Sequence, residues 1–225
     1  MKTVKRYLIL FLALILAAGI LACWYAGRRG LLRAGSSVPD DLVLATLDGE
    51  PVTYGEFRLH FLECRSAVVS ELNSRYGFAD SGEYWTTPLP DGTTPLELAV
   101  DRTMEKLRAI KARQILFLEY GICEDITYHT FRQQWEAENE RRETAVLKGQ
   151  AVYGPVRFEE AGYFSYIMDQ YQNRLEQFFS QKGQGGTSSE SPEKETERLV
   201  QEKLDSASFR PRKLALHRMM GGLTP

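Results

Sequence analysis

Residue types that could perform chemistry are few in this sequence. The three histidines are His60, His129 and His217. Only His60 has a reactive neighbour at helical spacing, because Cys64 follows four residues later and would share its helix face. A zinc site needs three or four ligands, and a cysteine nucleophile needs a lowered thiol pKa and an orienting third group. We therefore predict no metal, no cofactor and no catalytic residue.

The acidic residues also suggest structure more than catalysis. Four glutamates between residues 136 and 143 are interleaved with Arg141 and Arg142. Paired carboxylates can act as acid and base, but a solvated helix face crossed by ion pairs is much commoner. The glycines around residues 183–186 do not precede a helix with the Lys-Ser/Thr pair of a phosphate-binding loop. We interpret the glutamate cluster as a charged outer face.

Aromatic residues are the most distinctive feature. Residues 153–179 contain eight Tyr and Phe, and helical periodicity places most of them in a core. Tyr163 and Tyr166 do not lie on the apolar helix face that this periodicity defines. Tyr84 and Trp85 lie in a loop rich in Gly, Pro, Asp and Thr. Aromatic faces offer contact area at low entropic cost. The hypothesis is that these four side chains line a groove that binds apolar polypeptide segments, and core packing is the alternative.

The N-terminal region, residues 1–34, reads as a membrane-targeting segment. Three basic residues precede an uncharged run of 21 residues, 7–27, and a bilayer span needs about 20. We favour a retained signal anchor; lipoprotein processing at Cys23 and ordinary signal cleavage are the alternatives. Basic residues are equally numerous on both sides of the run, so charge does not set its orientation. The expected location is the cell membrane, with the body on the extracytoplasmic side.

The rest of the chain reads as a mainly α-helical body. A strand is predicted over Leu42–Leu47, followed by a turn at Asp48-Gly49. Thr53 with Glu56, and Thr94 with Glu97, have the capping-box pattern that opens a helix. Residues 76–94 form a long loop, and residues 212–217 show a weak strand alternation. Helices are predicted over about 54–75, 95–120, 127–147, 158–181 and 193–204.

The charge balance argues against some partners. The chain has 28 basic and 30 acidic side chains, so a dedicated nucleic-acid-binding protein is not expected. Residues 1–34 contain six basic residues and no acid, and the last 20 residues contain four basic residues and no acid. Such a tail can contact an anionic membrane surface, although a simply solvated tail is commoner.

Three stretches of sequence resemble a known family. They are Leu44–Thr53 (LATLDGEPVT) leading into Glu56-Phe57, residues 112–127 beginning ARQIL, and the closing segment Leu199–Phe209 (LVQEKLDSASF). Together they are similar to the N-terminal module of the SurA and PrsA families of extracytoplasmic chaperones and foldases. The resemblance implies a helical module over 35–182 with a short N-terminal strand, a linker at 183–192, and a C-terminal segment, 193–225, whose helix and strand pack back on the module.

The resemblance also implies a function. Many relatives carry a parvulin-type isomerase domain between the module and the closing helix, and such a domain needs about 100 residues. Only residues 183–192 occupy that place here. The expectation is therefore a membrane-anchored chaperone-like protein, without parvulin catalysis, whose partners are unfolded or nascent secreted polypeptides. The alternatives are a foldase related to peptidyl-prolyl isomerases and a specific envelope assembly factor.

Overall fold

The structure is a computed structural model, and it describes residues 38–77, 82–183 and 191–223. Val38–Pro225 form one compact unit. The predicted membrane segment at 7–27, with Cys23, lies outside the described residues. None of the described helices is long and apolar enough to cross a bilayer.

The described part is mainly helical, with one small sheet. Its elements in chain order are β1 Val43–Leu47, β2 Glu50–Thr53, α1 Tyr54–Tyr76, a 3-10 helix Gly82–Thr86, α2 Pro95–Glu119, α3 Tyr128–Leu147, α4 Glu160–Gly183, α5 Pro192–Ser206, β3 Phe209–Pro211 and α6 Lys213–Leu223. The five predicted helices are all present, and their ends agree with the predictions within two residues.

The sheet begins with a tight hairpin. Asp48 and Gly49 have φ angles of 50° and 93°, the left-handed conformations that a two-residue type I′ turn requires. The turn pairs Leu47 with Glu50, which makes 50–53 a strand that the sequence analysis did not predict. On the other side of β1, β3 pairs antiparallel, with Leu47 opposite Phe209. The strand order is therefore β2-β1-β3, and the C-terminal segment returns to the first strand.

Helices α1 and α2 form the centre of the core. Both begin with the predicted capping boxes, at Thr53 with Glu56 and at Thr94 with Glu97. The main core lies between these helices, the sheet and the 3-10 helix, from which Tyr84 and Trp85 pack inward. Its buried members include Leu44, Val52, Phe57, Val68, Tyr84, Trp85, Val100, Leu107 and Met219.

The strand predicted at residues 212–217 is wrong. The strand lies earlier, at Phe209–Pro211, and α6 begins at Lys213. The Arg212 amide donates to the Leu44 carbonyl, and the Arg212 carbonyl then accepts from Leu216 to begin the helix. The apparent alternation arises because the apolar residues of α6 face the core, where Met219 is fully buried.

Candidate functional site

A cleft of about 540 Å³ opens where the segment before β1, strand β2 and the start of α3 meet. Its lining residues are Asp40, Asp41, Pro51, Thr53, Thr127, Tyr128, His129, Arg132, Gln133 and Glu136. Tyr128 packs directly on α1, because a Cβ atom added at Gly55 would lie 2.1 Å from the ring atom Cε1 of Tyr128. Only glycine at position 55 allows this close approach.

A polar network closes the inner side of the cleft. The Tyr128 hydroxyl donates to Glu160 Oε1 at 2.5 Å and accepts from Arg58 Nη2 at 2.9 Å. Arg132 Nη1 lies 3.7 Å from Glu160 Oε1 and 4.0 Å from Asp40 Oδ2. Burial, followed by the hydrogen bond to Glu160, raises the pKa of Tyr128 to about 12. The phenol therefore stays protonated at neutral pH and links α1, α3 and α4 instead of acting as a base.

A buried ion pair lies between α1 and α2. Lys111 Nζ donates to Glu56 Oε1 at 2.5 Å, and the two side chains are 2% and 6% exposed. The other carboxylate oxygen of Glu56 accepts from the Thr53 amide at 2.7 Å, which completes the cap of α1. Because each charge has a partner inside the protein, the pair joins two helices and leaves no reactive group exposed.

The described residues contain no group of three His, Cys, Asp or Glu that could hold a metal. Cys64 and Cys123 are both free thiols. Burial, followed by the charge of Asp125, raises the pKa of the Cys123 thiol, which makes the thiolate less available. His60 packs edge-on against Phe164, 5.0 Å between ring centroids.

The segment between α3 and α4, residues 148–159, is held against α3 by its backbone; we call it the anchored loop. The Trp135 indole Nε1 donates to the Phe158 carbonyl at 2.8 Å. The Asn139 side-chain amide binds both backbone groups of Phe158: its nitrogen donates to the carbonyl at 3.1 Å and its oxygen accepts from the amide at 2.8 Å. The end of the loop is thereby fixed in position.

Arg142 fixes the middle of the anchored loop. Its Nη1 donates to the carbonyls of Tyr153 and Pro155, at 2.9 and 2.8 Å. Its Nε donates to Glu138 Oε1 at 2.7 Å, and its guanidinium lies 4.4 Å from the centre of the Phe158 ring. The side chain is only 6% exposed. Arg142 is therefore a buried cation neutralised by one carboxylate, and its remaining donors hold the loop backbone.

The anchored loop and the adjoining end of α3 present apolar side chains to solvent. Tyr153 is 90% exposed and Leu147 is 87% exposed; Val146 and Val156 are also exposed. We call these four side chains the 146–156 apolar surface. Exposed apolar side chains that are near one another in sequence are candidates for contact with another polypeptide. Arg142 holds the carbonyls of Tyr153 and Pro155, so the loop part of this surface has a fixed backbone.

The four aromatic side chains predicted to line a groove do not form one open surface. Tyr84 and Trp85 pack edge to face, with ring centroids 4.9 Å apart, and both are buried in the main core. Tyr163 is also buried, and its ring stacks on Phe131. The physical reason is that the 3-10 helix lays the first two rings on α1 and α2, while α3 covers the third. Only Tyr166 reaches the surface, where its ring stacks on Phe158 at 5.1 Å.

The glutamate cluster forms ion pairs as expected, but the pair of Glu138 with Arg142 is largely buried and not solvated. Glu138 accepts from Arg141 and Arg142, and Glu143 accepts from Arg157 at 2.6 Å. The role of Arg142 was not predicted from the sequence. Residues 135, 139 and 142 follow one another at helical spacing along one face of α3. That spacing is a signal for a shared face, but Arg142 was interpreted as part of a solvated face.

Comparison with known proteins gave no match to any family model, curated protein or solved structure.

Proposed function

We propose that this chain is a membrane-anchored, extracytoplasmic chaperone-like protein that binds apolar segments of unfolded polypeptides. Residues 7–27 would supply the anchor. The observation that carries the proposal is the 146–156 apolar surface, in which Tyr153 and Leu147 are almost fully exposed on an anchored backbone. Such a surface suits the binding of apolar chain segments without strict sequence requirements.

The sequence resemblance to the SurA and PrsA N-terminal module also supports the proposal. The LATLDGEPVT stretch forms the hairpin that leads into α1, and the closing stretch 199–209 spans the end of α5 and reaches β3. The pairing of β3 with β1 is the kind of C-terminal return that the resemblance implies. The finer assignment to this family is part of the proposal.

The expected affinity is low. Burying one large apolar side chain contributes about 1.5–3 kcal/mol, and association costs about 4–15 kcal/mol in lost freedom. Four side chains therefore give weak, short-lived binding, which suits a protein that must release its clients. Tyr166 extends the proposed surface along α4, because its ring lies on Phe158 of the anchored loop. Tyr84, Trp85 and Tyr163 would reach a client only after local opening, so binding is assigned to the exposed residues.

The test uses the full chain reconstituted in lipid nanodiscs. A denatured client protein is diluted into buffer, and its aggregation is followed by light scattering with and without the chain. We expect the wild type to suppress aggregation. The double variant Leu147→Ser/Tyr153→Ser should lose most of this effect, because two exposed apolar contacts are removed without touching the core.

The matched control is Leu62→Ser, since Leu62 is also an exposed leucine on a helix, at 66% exposure on α1. This variant should suppress aggregation as well as the wild type does. No suppression by the wild type would refute the proposed function. Full suppression by the double variant would refute the assignment of binding to the 146–156 apolar surface. Capture of a single stoichiometric partner, with no effect on clients, would favour an assembly factor instead.

A further inference from the structure

Helix α6 has two contrasting faces. Its inner residues, including Leu216 and Met219, pack against the main core. Its outward residues at helical spacing are Lys213, Leu214, His217 and Arg218, which are all exposed. Leu214 is 84% exposed. We call these four residues the α6 outer face; it combines two cations, one imidazole and one exposed aliphatic side chain.

The charge on this part of the chain is unbalanced. Arg212 immediately precedes the helix, and no Asp or Glu occurs between Ser206 and Leu223. No ion pair within the described ranges involves Arg212, Lys213 or Arg218. Arg212 and Lys213 also lie at the helix N-terminus, where the helix dipole disfavours positive charge. Folding alone therefore gives no reason for this arrangement of cations.

The last turn of α6 lies beside the residue at which the described body begins. A Cβ atom added at Gly222 would lie 3.3 Å from Val38 Cγ2. In the sequence, only residues 28–37 separate Val38 from the predicted anchor at 7–27. Helix α6 therefore packs at the part of the body that follows the predicted anchor most closely in sequence.

We propose that the α6 outer face docks on the anionic surface of the membrane that anchors the chain. Arg212, Lys213 and Arg218 supply the attraction to acidic lipid headgroups, and Leu214 enters the interfacial region beneath them. This inference rests on the anchor of the proposed function. Docking holds the body against the bilayer, and it accounts for both the unbalanced cations and the exposed leucine.

The test places a photocrosslinking residue on α6 of the full chain. The variant Leu214→p-benzoyl-phenylalanine is reconstituted into vesicles of zwitterionic lipid, with or without added phosphatidylglycerol, and crosslinked lipid is measured by mass spectrometry. The matched control is Leu62→p-benzoyl-phenylalanine, on an exposed leucine of α1. We expect at least about fivefold more lipid crosslinking at position 214 with the anionic lipid, the factor that one basic residue near the surface provides.

A second variant tests the charge. Replacing Arg212, Lys213 and Arg218 together by glutamine should reduce crosslinking at position 214 to the level at position 62. These residues are exposed and make no described ion pair, so the replacement leaves the core intact.

The outcomes separate the two proposals. If the chain floats with vesicles but position 214 gives no lipid crosslink, docking is refuted and the anchor stands. If position 214 crosslinks to a second copy of the chain, the face is a self-association surface and docking is again refuted. If the chain does not float with vesicles, both anchor and docking are refuted, whereas client binding is still decided by the aggregation assay.

Discussion

Replacing Arg142 by methionine tests whether the anchored loop is held as its hydrogen bonds indicate. Methionine keeps an unbranched apolar stem beside Phe158 but removes the guanidinium. The loop then loses both hydrogen bonds to the carbonyls of Tyr153 and Pro155. A hydrogen bond that involves a charged group contributes about 1.5–3 kcal/mol. If each bond contributes about 1.5 kcal/mol, the loss of both lowers the free energy of local loop opening by about 3 kcal/mol.

A change of this size should be visible by proteolysis. It corresponds to an increase of about 100-fold in the open population of the loop. Cleavage by chymotrypsin after Tyr153 requires the loop to leave α3, and its rate follows the open population when opening and closing are fast. We expect Arg142→Met to be cut at Tyr153 about 100-fold faster than the wild type. Suppression of client aggregation should also fall, because the loop part of the 146–156 apolar surface is in its closed, ordered form for a smaller fraction of the time.

Arg141→Met is the matched control. Arg141 also binds Glu138, through Nε at 2.7 Å and Nη2 at 2.8 Å, but it is exposed and makes no described contact with the loop. Its replacement should leave cleavage at Tyr153 within about fivefold of the wild type, since an exposed ion pair contributes less than about 1 kcal/mol. If Arg142→Met is cut no faster than Arg141→Met, the guanidinium does not hold the loop and the reasoning fails.

Two further predictions concern stability, and both are measured by urea unfolding of the full chain in detergent micelles. Lys111→Met leaves Glu56 buried without its cation and should lower the free energy of unfolding by about 3–5 kcal/mol. The control is Lys106→Met on the same helix as Lys111, which breaks an exposed pair with Glu63 of α1 and should lower it by less than about 1 kcal/mol. Equal losses would contradict the role of burial. The second prediction concerns His60. Burial, followed by the charge of Lys106, lowers the pKa of His60 to about 4. Between about pH 6.5 and pH 4, His60 is therefore protonated in the unfolded state but not in the folded state. Stability should then fall by about 2 kcal/mol between pH 7 and pH 5 through this group, and His60→Phe should remove that part of the fall; an unchanged pH profile would show that His60 is not the group responsible.

Local rules predicted the helices well because their ends are encoded within a few residues. Thr53 with Glu56, and Thr94 with Glu97, form the hydrogen bonds that their spacing predicts. The strand at 50–53 was missed although Asp48-Gly49 is a strong hairpin signal. A four-residue strand containing Pro51 has little periodicity of its own and is defined by its partner β1.

The candidate site was harder to predict because it depends on tertiary contacts. The loop position of Tyr84 and Trp85 suggested exposure, but whether a loop aromatic is exposed depends on what the loop packs against. Arg142 looked like a surface cation, and its burial depends on backbone carbonyls more than ten residues away. A single sequence offers only the helical spacing of residues 135, 139 and 142 as a signal for the contacts of Arg142, and no local signal for the burial of Tyr84 and Trp85.

The pairing of β3 with β1 also constrains how the body acquires its final form. Ala45 lies opposite Pro211, so β1 can pair with β3 only after the intervening residues have been synthesised. At about 5–20 residues per second, that delay is on the order of ten to thirty seconds. During this interval one edge of β1 lacks its neighbour and is open to wrong pairing. Sheet completion is therefore a late event in the biogenesis of this protein, and a ribosome stalled before β3 would hold a nascent body with an unfinished sheet.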